Sequence, residues 1–345
     1  MQTLETLKES EALDAAVRLS KPQVAVVGLG GAGCNIVTWL KERGVIGAKI
    51  LGVNTDAQHL SITKADKRIL MGDKLCKGLG CGGYPEKGAD AAKESLDTII
   101  QELRGANLVF IAAGLGGGTG TGSSWVVAEA LKESGALSLA VVTLPFSVER
   151  ARIDKAREGM EHLRECCDTV LAIDNNRLRK VAGNLPLRQA FAVANELIGS
   201  FVKNITETIT TPSLVNLDFA DLKTIMERGG ISAIGVGEAD GDARIEQAVK
   251  HALDAQLLDI TDITKASGVL VHVSGGEDMT LEEVTKAGEL VTQALPETVK
   301  IAWGARVDET MTGHARVMVA LTGVECAFMN PPKPPVPKKG FFRFI

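Results

Sequence analysis

Gly114-Leu115-Gly116-Gly117-Gly118-Thr119-Gly120-Thr121-Gly122-Ser123-Ser124 lies between an apolar run, Leu108–Ala113, and a helical pattern that starts near Ser124. Six glycines and two threonines fall within its first nine positions. A strand that turns into a helix N-terminus presents unpaired backbone N–H groups and the positive end of the helix dipole, the usual seat of a phosphate. Glycine lets the main chain approach an anion closely, and the hydroxyls add donors. A loop that is merely flexible fits poorly, because apolar elements close on it from both sides. The stretch predicts a phosphate-binding turn in an α/β fold.

Outward from this turn, strand-like and helical runs alternate. Strands are expected at Val24–Val27, Lys49–Val53, Leu108–Ala113, Leu137–Leu144 and Thr169–Ile173, with helices at Asn35–Arg43, Ala89–Leu103, Ser124–Glu133 and Ala156–Leu163. That alternation indicates a parallel sheet covered on both faces. Leu187–Thr210 carries Leu187, Phe191, Ala194, Ile198, Phe201, Ile205 and Ile209 three or four apart, one face of a long helix. Strands at Ala233–Gly237, Val269–Val273, Val299–Arg306 and Ala315–Thr322 follow, interleaved with helices at Asp242–Leu257 and Leu281–Leu295. The fold class is therefore α/β: a parallel-sheet domain over 21–186, a central helix over 187–210 and a smaller α/β domain over 211–330. An amphipathic helical extension is expected at 1–20, and a proline-rich tail at 331–345.

With 345 residues, 45% hydrophobic and 23% charged, the chain has ample material for a buried core. Aromatics make up only 4%, so Val, Ile, Leu and Ala must build that core. A formal charge of −5 argues against general nucleic-acid binding, which needs a basic field. No apolar run is long enough to span a bilayer, and 1–20 lacks the apolar core of a signal peptide, so the expected location is cytoplasmic. Six cysteines fit that compartment as free thiols. Cys76 and Cys81 flank a glycine-rich loop and Cys166-Cys167 are adjacent; neither pattern is a zinc site, and no metal-ligating set is expected.

A second glycine turn, Gly28-Leu29-Gly30-Gly31-Ala32-Gly33, follows the first strand and opens a helix, the context a nucleotide-binding fingerprint needs. A dinucleotide-binding Rossmann unit wants an acidic residue about 20 positions on, and Asp56 lies near that place. On this turn alone an NAD(P)-dependent oxidoreductase stays open, although it leaves Gly114–Gly122 unexplained. No G-x-x-x-x-G-K-[ST] sequence occurs and no Lys follows either turn, so phosphate charge must be met by amides, bound metal and Arg. On the long helix, Asn195 sits one turn after Phe191 on the same face. Phe191 reads equally well as core there, whereas an amide on a buried face needs a partner and offers both a donor and an acceptor.

GGGTGTG, Gly116–Gly122, resembles the signature loop of the tubulin and FtsZ superfamily, and Val109–Gly122 (VFIAAGLGGGTGTG) looks like FtsZ, the prokaryotic cell-division GTPase. Asn54-Thr55-Asp56-Ala57-Gln58 resembles that family's NTDAQ loop. The resemblance implies GTP and GDP as ligands, with Gly30, Gly31, Cys34 and Asn35 near the α- and β-phosphates and Asn54 among the nucleotide-binding residues. Ala113 and Gly114 then lead into a loop in which Gly116, Gly117, Gly118, Thr119, Gly120 and Thr121 wrap the β- and γ-phosphates, with Mg2+ bound through them. Cys34 stands where bacterial members commonly have glycine. Val141–Phe146 (VVTLPF) precedes the ribose contacts, which carry over to Glu149 and to Arg152 or Arg150; the helix that follows favours Arg152. Asn175, in a loop where Asp174 replaces a usual proline, matches a guanine contact. By the same resemblance Phe191 stacks on the base and Asn195 pairs with its edge.

Asn216–Asp221 (NLDFAD) is similar to the family's NVDFAD loop. In one chain it follows a helix about 36 Å long, so it cannot reach its own nucleotide. The family's head-to-tail stacking implies that Asp218 and Asp221 orient or activate water at the next subunit's γ-phosphate, with Asn216 supporting the loop. A heterologous contact that does not close gives filaments. The extension at 1–20 and the Gly78–Gly83 loop look archaeal. Phe341, Phe342, Phe344 and Ile345 then read as a docking peptide, Phe341–Ile345, for a SepF-type membrane anchor at the midcell division site. A non-hydrolysing structural filament is the other alternative, but it would lose the acidic residues that this loop keeps.

Overall fold

The computed structural model describes residues 21–182, 185–211, 217–254 and 257–330. The expectations for the extension at 1–20, for Asn216 and for the tail at 331–345 lie outside the described residues. The strands are β1 (Val24–Leu29), β2 (Ala48–Asn54), β3 (Lys67–Leu70), β4 (Leu108–Gly114), β5 (Leu137–Leu144), β6 (Thr169–Asp174), β7 (Gly230–Asp240), β8 (Ile260–Asp262), β9 (Gly268–Gly275), β10 (Lys300–Val307), β11 (His314–Thr322) and β12 (Glu325–Cys326). The first helices are α1 (Gly30–Glu42), α2 (Ala57–Ile62), α3 (Asp73–Cys76), α4 (Pro85–Leu103), α5 (Thr119–Lys132) and α6 (Arg150–Cys166). After them come α7 (Asn175–Ala182), α8 (Leu187–Thr210), α9 (Phe219–Met226), α10 (Arg244–Asp254) and α11 (Leu281–Gln293).

Ten strands form one sheet in the order β10-β9-β11-β7-β6-β5-β4-β1-β2-β3. From β3 through to β7 every neighbouring pair is parallel. The β6–β7 join is short, running from Thr169↔Gly230 to Leu171↔Ser232. Beyond it β11 runs antiparallel to both β7 and β9, so the C-terminal part of the sheet is mixed.

The central strands are buried on both faces, which is why they read as continuous apolar runs rather than alternating ones, while the edge strands β3 and β10 are partly exposed. Val24, Val26, Phe110, Val141 and Ile173 face α1 and α8, meeting Ile36, Leu40, Ile198 and Ile205. Ala25, Val27, Val109, Ile111 and Val142 face the other way, packing with Ala92, Ile99, Val127, Leu131 and Leu163 of α4, α5 and α6. Phe110 meets Phe201 of α8 edge-on, centroids 6.3 Å apart.

α8 has the expected bounds, and Ala194, Ile198, Phe201 and Ile205 of its stripe are buried. Phe191 departs from that stripe and is 42% exposed. α1 and α5 begin at Gly30 and Thr119, each five residues before the expected start. The leading glycines, loop-like in composition, thus form the first helical turns. The N–H groups of a first helical turn have no intrahelical partner to lose, so glycine there gives up less than it would mid-helix.

Candidate functional site

The two glycine turns follow β1 and β4, which are neighbours in the sheet. The chain leaves β1 toward β2 on one side, while β4 lies on the other, so the turns meet at a topological switch point, where open α/β sheets bind ligands. A cavity of about 540 Å³ opens there. Gly31, Ala32 and Asn35 of α1 line it, with Gly114, Gly117, Gly118, Thr119 and Gly120 from the turn after β4. Glu149, Arg152, Asn175, Phe191 and Asn195 complete the far wall.

Two helix N-termini converge on this space. Neither α1, preceded by Leu29, nor α5, preceded by Gly118, has a side-chain cap or an acidic residue in its first turn. Their leading N–H groups and positive dipole ends therefore remain available to an anion. Close backbone approach brings them together: a Cβ on Gly33 would lie 2.3 Å from the Ala112 carbonyl oxygen. The turn after β4 is shaped by Gly116, at φ +96°, whose N–H donates to Thr121 Oγ1 at 2.8 Å. Thr119 shares a 2.7 Å hydroxyl contact with Thr55.

Several expected residues stand behind the lining. Cys34 is fully buried, its thiol directed at the carbonyls of Gly28 and Val53, and burial pushes it up to about 11. Asn54 is buried and accepts from the Thr55 N–H at 2.9 Å, holding its own turn. Gly30, Ala113, Gly116 and Thr121 support the two turns and are not among the residues lining the cavity. Asp56, which a Rossmann unit would place on a ribose, instead caps α2, accepting from the His59 N–H at 3.0 Å.

On the far wall, the Glu149 carboxylate accepts from the Phe146 N–H at 3.0 Å and pairs with Arg152 Nη1 at 2.8 Å. Arg152 lines the cavity and Arg150 does not. Phe191 is held edge-on by Phe146, centroids 5.9 Å apart and planes at 72°, so its exposed ring belongs to the cavity rather than the core. Asn175 opens α7, and the loop before it is tied down by Asp174 Oδ1, which accepts from the Asn176 N–H at 2.8 Å. Thr143, Pro145 and Ala194 also line the cavity without having been singled out. Thr143 and Pro145 lie in the VVTLPF run, which could have pointed to them; Ala194 carries no signal beyond its small size between Phe191 and Asn195.

Asp218 and Asp221 are exposed and do not line this cavity. Asp218 caps α9, accepting from the Ala220 N–H at 3.1 Å. α9 ends against the start of β6, where Thr169 Oγ1 donates to the Met226 carbonyl at 2.5 Å. The cavity lies at the other end of the same strands, about 20 Å away for a six-residue strand. Among the described residues, no group of three His, Cys, Asp or Glu could hold a metal ion. Nor is any helix long and apolar enough to cross a membrane.

Comparison with known proteins agrees with this architecture. The model of the Tubulin/FtsZ family GTPase domain matches residues 23–183, and that of the FtsZ family C-terminal domain matches 230–325. Cell division protein FtsZ 2 of Methanocaldococcus jannaschii is 50% identical over 307 residues, 88% of this chain and 80% of that protein. Cell division protein FtsZ of Haloferax mediterranei is 47% identical over 321 residues, 93% of this chain and 85% of that protein. A solved structure described as an empty FtsZ dimer from M. jannaschii matches with a TM-score of 0.86 at 47% identity, covering 91% of this chain and 92% of that one. The oxidoreductase alternative falls with these matches, and the chain belongs to the FtsZ family of cell-division GTPases.

Proposed function

We propose that this GTPase binds GTP and GDP in the cavity at the two glycine turns and hydrolyses GTP only where a second copy supplies Asp218 and Asp221. The carrying observation is a pair of uncapped helix N-termini facing one cavity while the acidic residues sit at the opposite edge of the sheet. Amides of Gly31 and of Gly117–Gly120 take the phosphates. Glu149 and Arg152 meet the ribose, Phe191 stacks on the base, and Asn175 and Asn195 read its edge. Gly30, Cys34, Asn54, Ala113, Gly116 and Thr121 serve by holding these groups in place. Asn216 steadies the acidic loop, and Asp218 and Asp221 position the attacking water.

Among the described residues Glu149 is the one carboxylate in the lining, and it is already engaged, which suits a Mg2+ ion held mainly by phosphate oxygens and water. When bound, that ion would offset charge developing on the phosphates. The division of labour fits a nucleotide-binding unit over 21–186, the helix 187–210 and a second unit over 211–330. In the cell the polymer works at midcell, held at the membrane by a SepF-type adaptor that takes Phe341–Ile345. Phosphate release and light scattering with GTP, ATP and NAD, across protein concentration, test the reading. Activity confined to GTP and rising with assembly is expected; turnover of ATP at an equal rate, or hydrolysis indifferent to assembly, would overturn it.

A further inference from the structure

Cys76 and Cys81 take no part in the site just described, yet both are buried, each 3% exposed, and their sulfurs lie 3.7 Å apart. The chain between them is folded back by left-handed residues, Lys77 (φ 51°), Gly78 (φ 73°) and Gly80 (φ 80°). It is pinned to the turn after β2: the Ala57 N–H donates to the Gly78 carbonyl and the Gly80 N–H to the Thr55 carbonyl, both at 3.0 Å. We propose that Cys76 and Cys81 form a reversible oxidation site whose disulfide weakens nucleotide binding at the neighbouring glycine turn.

The coupling runs through contacts with little slack. The Cys81 thiol reaches Thr55 Oγ1 at 3.5 Å, and Thr55 Oγ1 in turn meets Thr119 Oγ1 at 2.7 Å. A Cβ on Gly118 would lie 2.8 Å from Cys81 Cβ, so Cys81 rests directly on the turn that lines the cavity. A disulfide needs its sulfurs about 2.05 Å apart, so the pair must close by roughly 1.7 Å. Oxidation also removes the thiol proton that Cys81 offers to Thr55. Both changes arrive at Gly118 and Thr119, the first residues around the N-terminus of α5.

With hydrogen peroxide as oxidant, one thiolate attacks a peroxide oxygen, the O–O bond breaks, and a sulfenic acid forms as hydroxide leaves. The second sulfur then displaces water from the sulfenic sulfur and the S–S bond forms. Two thiols and one peroxide give one disulfide and two waters, the two electrons passing from sulfur to oxygen. Burial and the neighbouring Cys81 push the Cys76 thiol up to about 11, so little thiolate is present at neutral pH and the first step, attack on peroxide, is slow.

This inference rests on the glycine turns being the nucleotide site. The full chain should be oxidised with peroxide, the peroxide removed, the link mapped by differential alkylation and mass spectrometry, and the GTP Kd measured before, after and following dithiothreitol. A Cys76–Cys81 link is expected, with a Kd about tenfold higher, restored by reductant and absent in peroxide-treated Cys76→Ser. By reciprocity GTP should shift the pair's potential by about 30 mV, the equivalent of tenfold, in a thiol–disulfide buffer. The wild-type oxidation arm stands even if the variant folds poorly. No such link, or a link that leaves Kd within twofold, overturns the proposal. If the reduced protein fails to bind GTP, the nucleotide-site reading falls and the coupling with it; if it binds and oxidation changes nothing, the coupling alone falls.

Discussion

If the acidic loop works only on a neighbour, two inactive variants should restore each other. Asp221→Ala keeps the cavity and removes the proposed water-positioning carboxylate. Gly117→Glu does the reverse: Gly117 lines the cavity, a Cβ there meets no atom within 4 Å, and the added carboxylate would oppose the phosphates. Asp221→Ala alone should lose about 10²–10⁴-fold in turnover, the usual worth of a positioned acid–base group, and Gly117→Glu alone should be inactive because its cavity no longer takes the phosphates. In an equal mixture that assembles at random, an interface is competent only when its cavity comes from Asp221→Ala and its loop from Gly117→Glu. That is one arrangement in four, so the mixture should recover about one quarter of wild-type specific activity. Dilution checks the same geometry. Well below the assembly constant, the fraction of cavities with a neighbour is proportional to concentration, so phosphate release per volume should rise as roughly the square of protein concentration. A mixture no more active than its components, or a first-order dependence down to the most dilute assay, would refute the reasoning.

The other expectations are more local. Asn195→Leu leaves a polar guanine edge without its amide, costing about 1–3 kcal/mol, and competition binding should show GTP losing its advantage over ATP. Arg244, 6% exposed, pairs with Glu283 at 2.7 Å and Asp278 at 2.6 Å, and its guanidinium holds both carboxyls below their ordinary values. Their folded pKa values lie under the unfolded ones, so this stabilisation is present at neutral pH and is lost as pH falls through the folded values. Arg244→Leu should therefore lower Tm at pH 7 and flatten the acid limb of a Tm-against-pH profile, since the depressed carboxyls lose the partner that depresses them. Deleting Gly340–Ile345 should leave GTP turnover and filament formation in solution nearly intact while abolishing pelleting with adaptor-coated vesicles; loss of polymerisation would make the tail part of the filament instead.

Much of this was legible in the residues because buried parallel strands leave long apolar runs and because the glycine turns sit between them. The bounds of β5 and α8 follow directly from their patterns. β3, α2, α7 and α9, four to eight residues long, are too short to show a long periodic face, and α2 and α9 are instead started by the caps Asp56 and Asp218. Within the site, composition identified which turns meet but not which atoms face inward. Cys34, Asn54 and Thr121 are polar or nucleophilic and sit in the right turns. Their side chains are buried and spent on nearby main chain, Cys34 on the Val53 carbonyl, Asn54 on the Thr55 N–H and Thr121 on the Gly116 N–H, an orientation that residue type alone does not reveal.

The proposed need for a second molecule rests on topology more securely than on helix length. In a parallel sheet, every turn that follows a strand lies at one edge and every segment that leads into a strand lies at the other. The cavity is built from turns after β1, β4, β5 and β6, so it occupies the first edge. α9 leads into β7, and β7 is parallel to β6, so Asp218 and Asp221 are delivered to the second edge whatever their side chains do. Had β7 entered antiparallel to β6, the same acidic residues would have arrived beside the cavity of their own chain. On the proposed reading, the parallel β6–β7 register, three residue pairs long, is what would separate a self-sufficient hydrolase from one that has to stack. Head-to-tail stacking, as proposed, would bring the second edge of one copy onto the first edge of the next, and each added copy would leave one of each edge free, which is the condition for a filament rather than a closed pair.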